Sequence, residues 1–215
     1  ATASVARAHV RRLGGTEPAE ARVTDYTGFA HGALGIAPGL AEYGAVFGDD
    51  AVHDLGVRIA RAGIDSYDPD LGDWPRGWNE PVRSYAWCHG APGMLLGAMA
   101  LLRRAPGTLP EEPLARMARR TAERGFGNNP TYCHGDLGSA ETVLLAAREA
   151  PGLFAADAAD GLYPRLFDQL VEGYDRRADT KYRYTSSLLL GQAGLVWSVL
   201  RHLEPGTHPC VLLLE

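Results

Sequence analysis

Cysteine is scarce in this chain, and the three present, Cys88, Cys133 and Cys210, are too few and too odd in number for a disulfide framework. That scarcity predicts a reducing, cytoplasmic setting, where thiols are buried, bind metal or react. No C-x-x-C pair and no H-E-x-x-H helix occurs, which excludes zinc fingers and thermolysin-like peptidases. Long apolar runs are also missing. The most apolar stretch, Ser186 to Leu200, is interrupted by Gln192 and by glycines, short of the ~18 continuous residues of a membrane span. The start, Ala1 to Arg7, has no apolar segment of the kind a signal peptide needs. There is no basic tract: 21 Lys and Arg against 26 Asp and Glu leave a net charge of −5, which disfavours nucleic acid and anionic membranes as partners. Alternating strand patterns are absent as well. The first residue is not Met, as expected of an excerpt from a longer protein.

What is present suits one packed domain. Of 215 residues, 46% are hydrophobic and 22% charged, close to the soluble globular average. Glycine (26) and proline (14) are over-represented, and the glycines are periodic. Gly32, Gly90, Gly135 and Gly191 each open a G-x-x-G, at spacings of 58, 45 and 56 residues. A run of helical character follows each, such as Met94 to Leu102 or Ser139 to Ala150. Second helices are predicted at Ala51–Ala62, Leu114–Arg124 and Pro164–Tyr174, the middle one with its arginines toward water. A single G-x-x-G is an ordinary helix terminus. Four in phase with helical hairpins predict an α/α repeat whose glycines allow close approach of helix ends. Asp65–Asn79 reads as a long irregular connection, Gly125–Pro130 as a turn cluster, and Tyr174–Tyr184 as a charged, tyrosine-rich loop.

Chemistry concentrates in a duplicated tripeptide, Cys88-His89-Gly90 and Cys133-His134-Gly135. Equivalent positions in neighbouring repeats face one region, so two thiols and up to two imidazoles are expected to converge. Thiolate and imidazole suit zinc, and a catalytic zinc keeps three protein ligands and one open position. The competing reading is a pair of buried cysteines beside helix-capping histidines. His31 stands at the same place in the first repeat but follows Ala30, so it faces the region without a thiol. There it could act as general acid or base or serve only as a cap. Cys210, within the apolar ending Pro209–Glu215, reads as a packed small hydrophobe.

Trp87-Cys88-His89-Gly90-Ala91-Pro92-Gly93 and Tyr132-Cys133-His134-Gly135 resemble the signature motifs of LanC-type lanthionine cyclases. The ending Pro209–Glu215 resembles the C-terminus of class II LanM lanthipeptide synthetases, which fuse a dehydratase to a LanC-like domain. The resemblance runs from Tyr26 to the end. It implies an all-α fold, an α/α toroid of alternating inner and outer helices. Of the seven repeats of that ring, four glycine motifs are counted here, so residues 1–215 are expected to be the C-terminal part of a LanC-like domain. The resemblance further implies a Zn2+ site at Cys88, Cys133 and His134 and a catalytic histidine at His31. It also implies a dehydrated precursor peptide as substrate and a dehydratase, fused upstream or separate, as its supplier.

Three positions depart from the stand-alone cyclases. Their active-site aspartate belongs to the repeats not found here, Ser84 stands where they have arginine (with Arg83 one residue further away), and His89 replaces a tyrosine. The activity implied is zinc-dependent thioether formation between a peptide cysteine and dehydroalanine or dehydrobutyrine. Two other readings stay open: a fragment that binds zinc and thiol peptide without turnover, and a zinc hydrolase using the vacant position to activate water. A ring lacking three hairpins is expected to expose apolar faces on two helices.

Overall fold

A computed structural model of the chain describes residues 22–154, 162, 164, 166–168, 185–204 and 206–213. Its elements run α1 (Ala33–Phe47), α2 (Asp50–Asp65), β1 (Pro75–Gly77), β2 (Glu80–Arg83), α3 (Ala91–Leu102), α4 (Glu111–Arg124), α5 (Asp136–Glu149) and α6 (Gln192–Leu203). Every glycine motif starts a helix: Gly32, Gly90, Gly135 and Gly191 are the N-cap residues of α1, α3, α5 and α6. The hairpin partners differ in character. Helix α4 buries Leu114, Met117, Ala118 and Thr121 along one stripe and turns Arg119 and Arg124 to solvent. Helix α3, by contrast, is buried nearly all round. A helix apolar on every side has to be covered on every side, so α3 and α5 are inner helices, with α2 and α4 outside.

Packing is sequential. Helix α1 lies on α2 and α3, α3 on α4 and α5, and α5 on α6, so the hairpins form an arc, part of an α/α toroid. Met94, Leu95, Leu96 and Leu101 are wholly buried in it, each contributing about 1.5–3 kcal/mol through apolar burial. The second glycine of each motif makes the arc possible. A Cβ on Gly93 would lie 1.8 Å from the carbonyl oxygen of Trp87, and Gly35, Gly138 and Gly194 meet the carbonyls of Phe29, Tyr132 and Leu188 in the same way. The first turn of each inner helix is thus pressed on the backbone six residues upstream, where no side chain fits.

At the far end, the guanidinium of Arg201 on α6 donates to both carboxylate oxygens of Glu141 on α5, at 3.0 and 3.2 Å, and also to the His208 carbonyl. Glu141 is 2% exposed, and Tyr132 Oη donates to it at 3.2 Å. This buried pair fastens α6 and the C-terminal segment, whose Cys210 and Leu212 join the core. Burial pushes the Cys210 thiol up, in keeping with a packed rather than reactive group. Six of the seven exposed large apolar side chains among the described residues lie on α1 (Ile36, Val46 and Phe47) and on α6 (Val196, Leu200 and Leu203).

One sequence expectation is corrected. The connection Asp65–Asn79 is not wholly irregular: its end joins β1, which pairs antiparallel with β2 across Pro75–Arg83. Short strands with Pro in both lack the alternation by which strands are read. Of the helix predicted over Pro164–Tyr174, most lies outside the described residues, as does the loop Tyr174–Tyr184.

Two measurements test the packing. Gly93→Ala should lower unfolding stability by about 3–5 kcal/mol, since neither backbone can yield, whereas Gly39→Ala, whose Cβ meets nothing within 4 Å, should raise it by about 0.5–1 kcal/mol. Urea denaturation reads both. Glu141→Leu should cost about 3–5 kcal/mol by stranding the Arg201 charge, and the double variant with Arg201→Met should recover a large part of that loss.

Candidate metal centre and active site

Backbone hydrogen bonds align the four glycine motifs side by side. The N–H of Ala30 donates to the carbonyl of Cys88 (3.2 Å), that of Cys88 to Cys133 (3.3 Å), and that of Cys133 to Leu189 (2.9 Å). Each of these residues stands two before the first glycine of its motif. Equivalent positions in four repeats therefore lie on consecutive rungs, and the two cysteines occupy the middle two.

That register brings chemistry together. Cys88 Sγ, Cys133 Sγ and a His134 ring nitrogen all lie within 4.8 Å of one another. The Cys133 thiol hydrogen-bonds to Cys88 sulfur, and this bond is the main reason the Cys88 thiol titrates below its ordinary range. Burial opposes the shift, while backbone N–H groups and the guanidinium of Arg76 assist it. For Cys133 the direction reverses, because it supplies the proton and is itself desolvated. The two sulfurs are thus coupled through one hydrogen bond, which favours ionisation of Cys88 and disfavours that of Cys133.

His134 is set by its own turn. Its N–H donates to Thr131 Oγ1 (3.2 Å) and its carbonyl accepts from Asn129 Nδ2 (3.3 Å). Asn129 Oδ1 in turn accepts from the N–H and hydroxyl of Thr131, at 3.1 and 2.6 Å. Asp136, the residue after the motif, is buried and accepts the N–H groups of Gly127 and Asn128, both at 3.0 Å. Burial raises its carboxyl above the usual range against the pull of those two donors. The segment bearing Cys133 and His134 is thus braced on both sides.

His31 is exposed, with its ring 5.5 Å from that of His89 and 6.3 Å from that of Tyr26. Tyr26 and His89 lie 5.1 Å apart, which makes a cluster of three rings beside Cys88. His89 stays outside the converging ligand group. Its Nδ1 is buried without a hydrogen-bond partner, and burial, followed by the charges of His31, Arg76 and His134, holds its imidazole below the ordinary histidine value. The structure therefore unites Cys88, Cys133 and His134, sets His31 beside them through His89, and leaves Cys210 in the core.

Sequence reasoning missed the supporting parts. Arg76, on β1, is the cation whose charge acts on Cys88 and His89, and Glu80 on β2 holds its guanidinium by two hydrogen bonds. Its only signal was position in an unassigned loop. Asn129, Thr131 and Asp136 were more accessible: Asn129 lies in the turn cluster Gly125–Pro130 and forms an Asx turn with Thr131 just after it, and Asp136 follows the second Cys-His-Gly directly.

The donor set fits a metal. Tetrahedral zinc with two thiolates and one imidazole needs ligand atoms about 3.5–3.8 Å apart, a small contraction of the group present. Soft sulfur donors select zinc over magnesium or calcium, and three protein ligands leave a tetrahedral position free.

Comparison with known proteins agrees with this picture. No curated protein matches the chain. Among solved structures, nisin cyclase matches with a TM-score of 0.60 and 16% identity, over 85% of this chain and 47% of that one. The chain therefore shares its fold and spans about half its length. Removing the Asp136 brace by Asp136→Ala leaves two amide donors unpaired and should cost about 2–4 kcal/mol, measured by thermal or urea unfolding. Residues 8–213 match the description "Lanthionine synthetase C-like protein", and the chain belongs to that family.

Proposed function

We propose that this chain is the metal-bearing, C-terminal portion of a zinc-dependent lanthionine cyclase that closes thioether rings in a dehydrated precursor peptide. The observation that carries this reading is the convergence of Cys88, Cys133 and His134 within one ring cluster of His31. When bound, zinc supplies a vacant coordination position at which a substrate thiol, ordinarily a few per cent ionised at neutral pH, loses its proton. Cys88, Cys133 and His134 would hold that metal, and two thiolate ligands would favour a nucleophilic sulfur over water activation.

In the reaction, sulfur bonds to the β-carbon of dehydroalanine or dehydrobutyrine, the alkene electron pair moves toward the carbonyl, and the α-carbon takes a proton. His31, as imidazolium, is the donor of that proton: it is solvent-exposed and lies outside the converging group of Cys88, Cys133 and His134. Tyr26 and His89 pack against its ring and fix its approach. The substrate has to come from a dehydratase, in the same polypeptide as in the class II LanM synthetases or separate, and a reducing cytoplasm would keep its thiols free.

Zinc analysis combined with mass spectrometry of a dehydrated cysteine peptide tests the reading. Cys133→Ala should lose stoichiometric zinc and all thioether formation. His31→Asn should retain zinc and slow cyclisation by about 10²–10⁴-fold, the usual contribution of a positioned acid. Asn129→Ala, which frees His134, should weaken zinc about tenfold in competition with a chromophoric chelator. Wild-type zinc content in Cys133→Ala, or full activity in His31→Asn, would overturn the corresponding assignment.

A further inference from the structure

The segment Thr24–Thr27, which leads into the turn carrying His31, is stitched to the β1–β2 hairpin by a row of hydrogen bonds. The Trp78 indole Nε1–H donates to the Thr24 carbonyl (2.7 Å) and the Trp78 backbone N–H to the Asp25 carbonyl (3.1 Å). Thr27 donates its N–H to the Arg76 carbonyl (3.2 Å) and its hydroxyl to the Pro75 carbonyl (2.5 Å). The fit is close, since a Cβ on Gly77 would lie 2.6 Å from the Asp25 carbonyl oxygen. The Arg22 guanidinium lies over the Trp78 ring, 4.7 Å from its centroid. Within this frame one hydroxyl has two partners. Thr24 Oγ1 donates to the His31 carbonyl (2.8 Å) and accepts the N–H of Tyr26 (2.9 Å). It thereby ties down the main chain of two of the three residues whose rings cluster beside Cys88.

The metal centre uses the same device. His31 and His134 both stand directly before the first glycine of their motifs. The His134 carbonyl accepts from the side chain of Asn129, upstream of its motif (3.3 Å), and Thr24 supplies the corresponding side-chain donor to His31. The His89 carbonyl, by contrast, accepts the main-chain N–H of Ala86 (3.2 Å). An exposed imidazole takes little guidance from packing, so its aim has to come from the backbone that carries it. We infer that Thr24, clasped by Trp78, is a positioning residue for His31: it fixes the main chain from which that imidazole reaches toward the metal centre. Proton delivery to a carbon depends steeply on placement, and a displacement of about 1 Å can cost roughly 10²-fold in rate. The effect on catalysis rests on the function proposed above; the effect on the placement of His31 does not.

Thr24→Val tests the inference, because it keeps the side-chain shape and removes the hydroxyl, and Thr24→Ser restores the hydroxyl. In proton–carbon correlation spectra of the full chain, the His31 ring signal is identified by its loss in His31→Asn. Thr24→Val should shift or broaden that signal, and Thr24→Ser should leave it near its wild-type position. With the dehydrated cysteine peptide, Thr24→Val should lower kcat roughly tenfold at unchanged KM and zinc content, and Thr24→Ser should stay within about twofold of wild type. Trp78→Phe, which removes the indole N–H, should act in the same direction and add little to Thr24→Val. In a His31→Asn background, Thr24→Val should have no further effect, because its partner in the reaction is already gone. An unmoved His31 signal in Thr24→Val, an unchanged kcat, or a loss that persists at full size in the His31→Asn background each overturns the inference. If the wild-type chain forms no thioether at all, the cyclase reading fails, and the spectra alone decide whether Thr24 places His31.

Discussion

Three backbone hydrogen bonds, linking Ala30 to Cys88, Cys88 to Cys133 and Cys133 to Leu189, fix everything of chemical interest in this molecule. Cysteines separated by 44 residues have no reason to meet unless the repeats carrying them are held in register. The register depends on how closely each inner helix approaches the turn before it, and that approach depends on a missing Cβ at Gly35, Gly93, Gly138 and Gly194. The glycine periodicity and the convergence of Cys88, Cys133 and His134 are one constraint seen at two scales. The glycines set the distance between repeats, and that distance decides whether two sulfurs can share an ion.

Charge and burial then divide roles among similar groups. Cys88 and Cys133 are joined by a hydrogen bond and shifted in opposite directions, while Cys210, equally a thiol, is only a piece of core. His134 is gripped by its Asx turn, His89 is half-buried with an unpartnered nitrogen, and His31 stays in solvent. Three imidazoles within one neighbourhood are thus a ligand, a spacer and a proton carrier on the proposed reading, distinguished by surroundings and not by residue type.

Much of this could be read from the residues. The four G-x-x-G motifs place the starts of α1, α3, α5 and α6, and the paired Cys-His-Gly tripeptides place the two converging thiols, because both signals recur locally and independently of distant partners; that His134 and not His89 joins them was given only by the resemblance to LanC-type cyclases. Helix α4 was equally legible from its arginine-rich outer stripe. The hairpin carrying Arg76 was not: it is two short strands with a proline in each, and its importance comes from a fold-back that sets a guanidinium beside Cys88. Asp136 illustrates a second limit. An aspartate at the first turn of a helix reads as a dipole partner, and only the loop folding over it shows that it accepts Gly127 and Asn128 instead. Recurrence is visible in a sequence; a single non-local contact is not.

The outermost rungs of the backbone alignment carry Ala30 and Leu189, residues without a donor atom. The frame that spaces those positions is made of main chain alone and does not depend on what each one bears. The rungs bearing Cys88 and Cys133 are therefore joined in the same way as those bearing Ala30 and Leu189, whatever atom each residue presents. A fold of this kind separates architecture from reactivity.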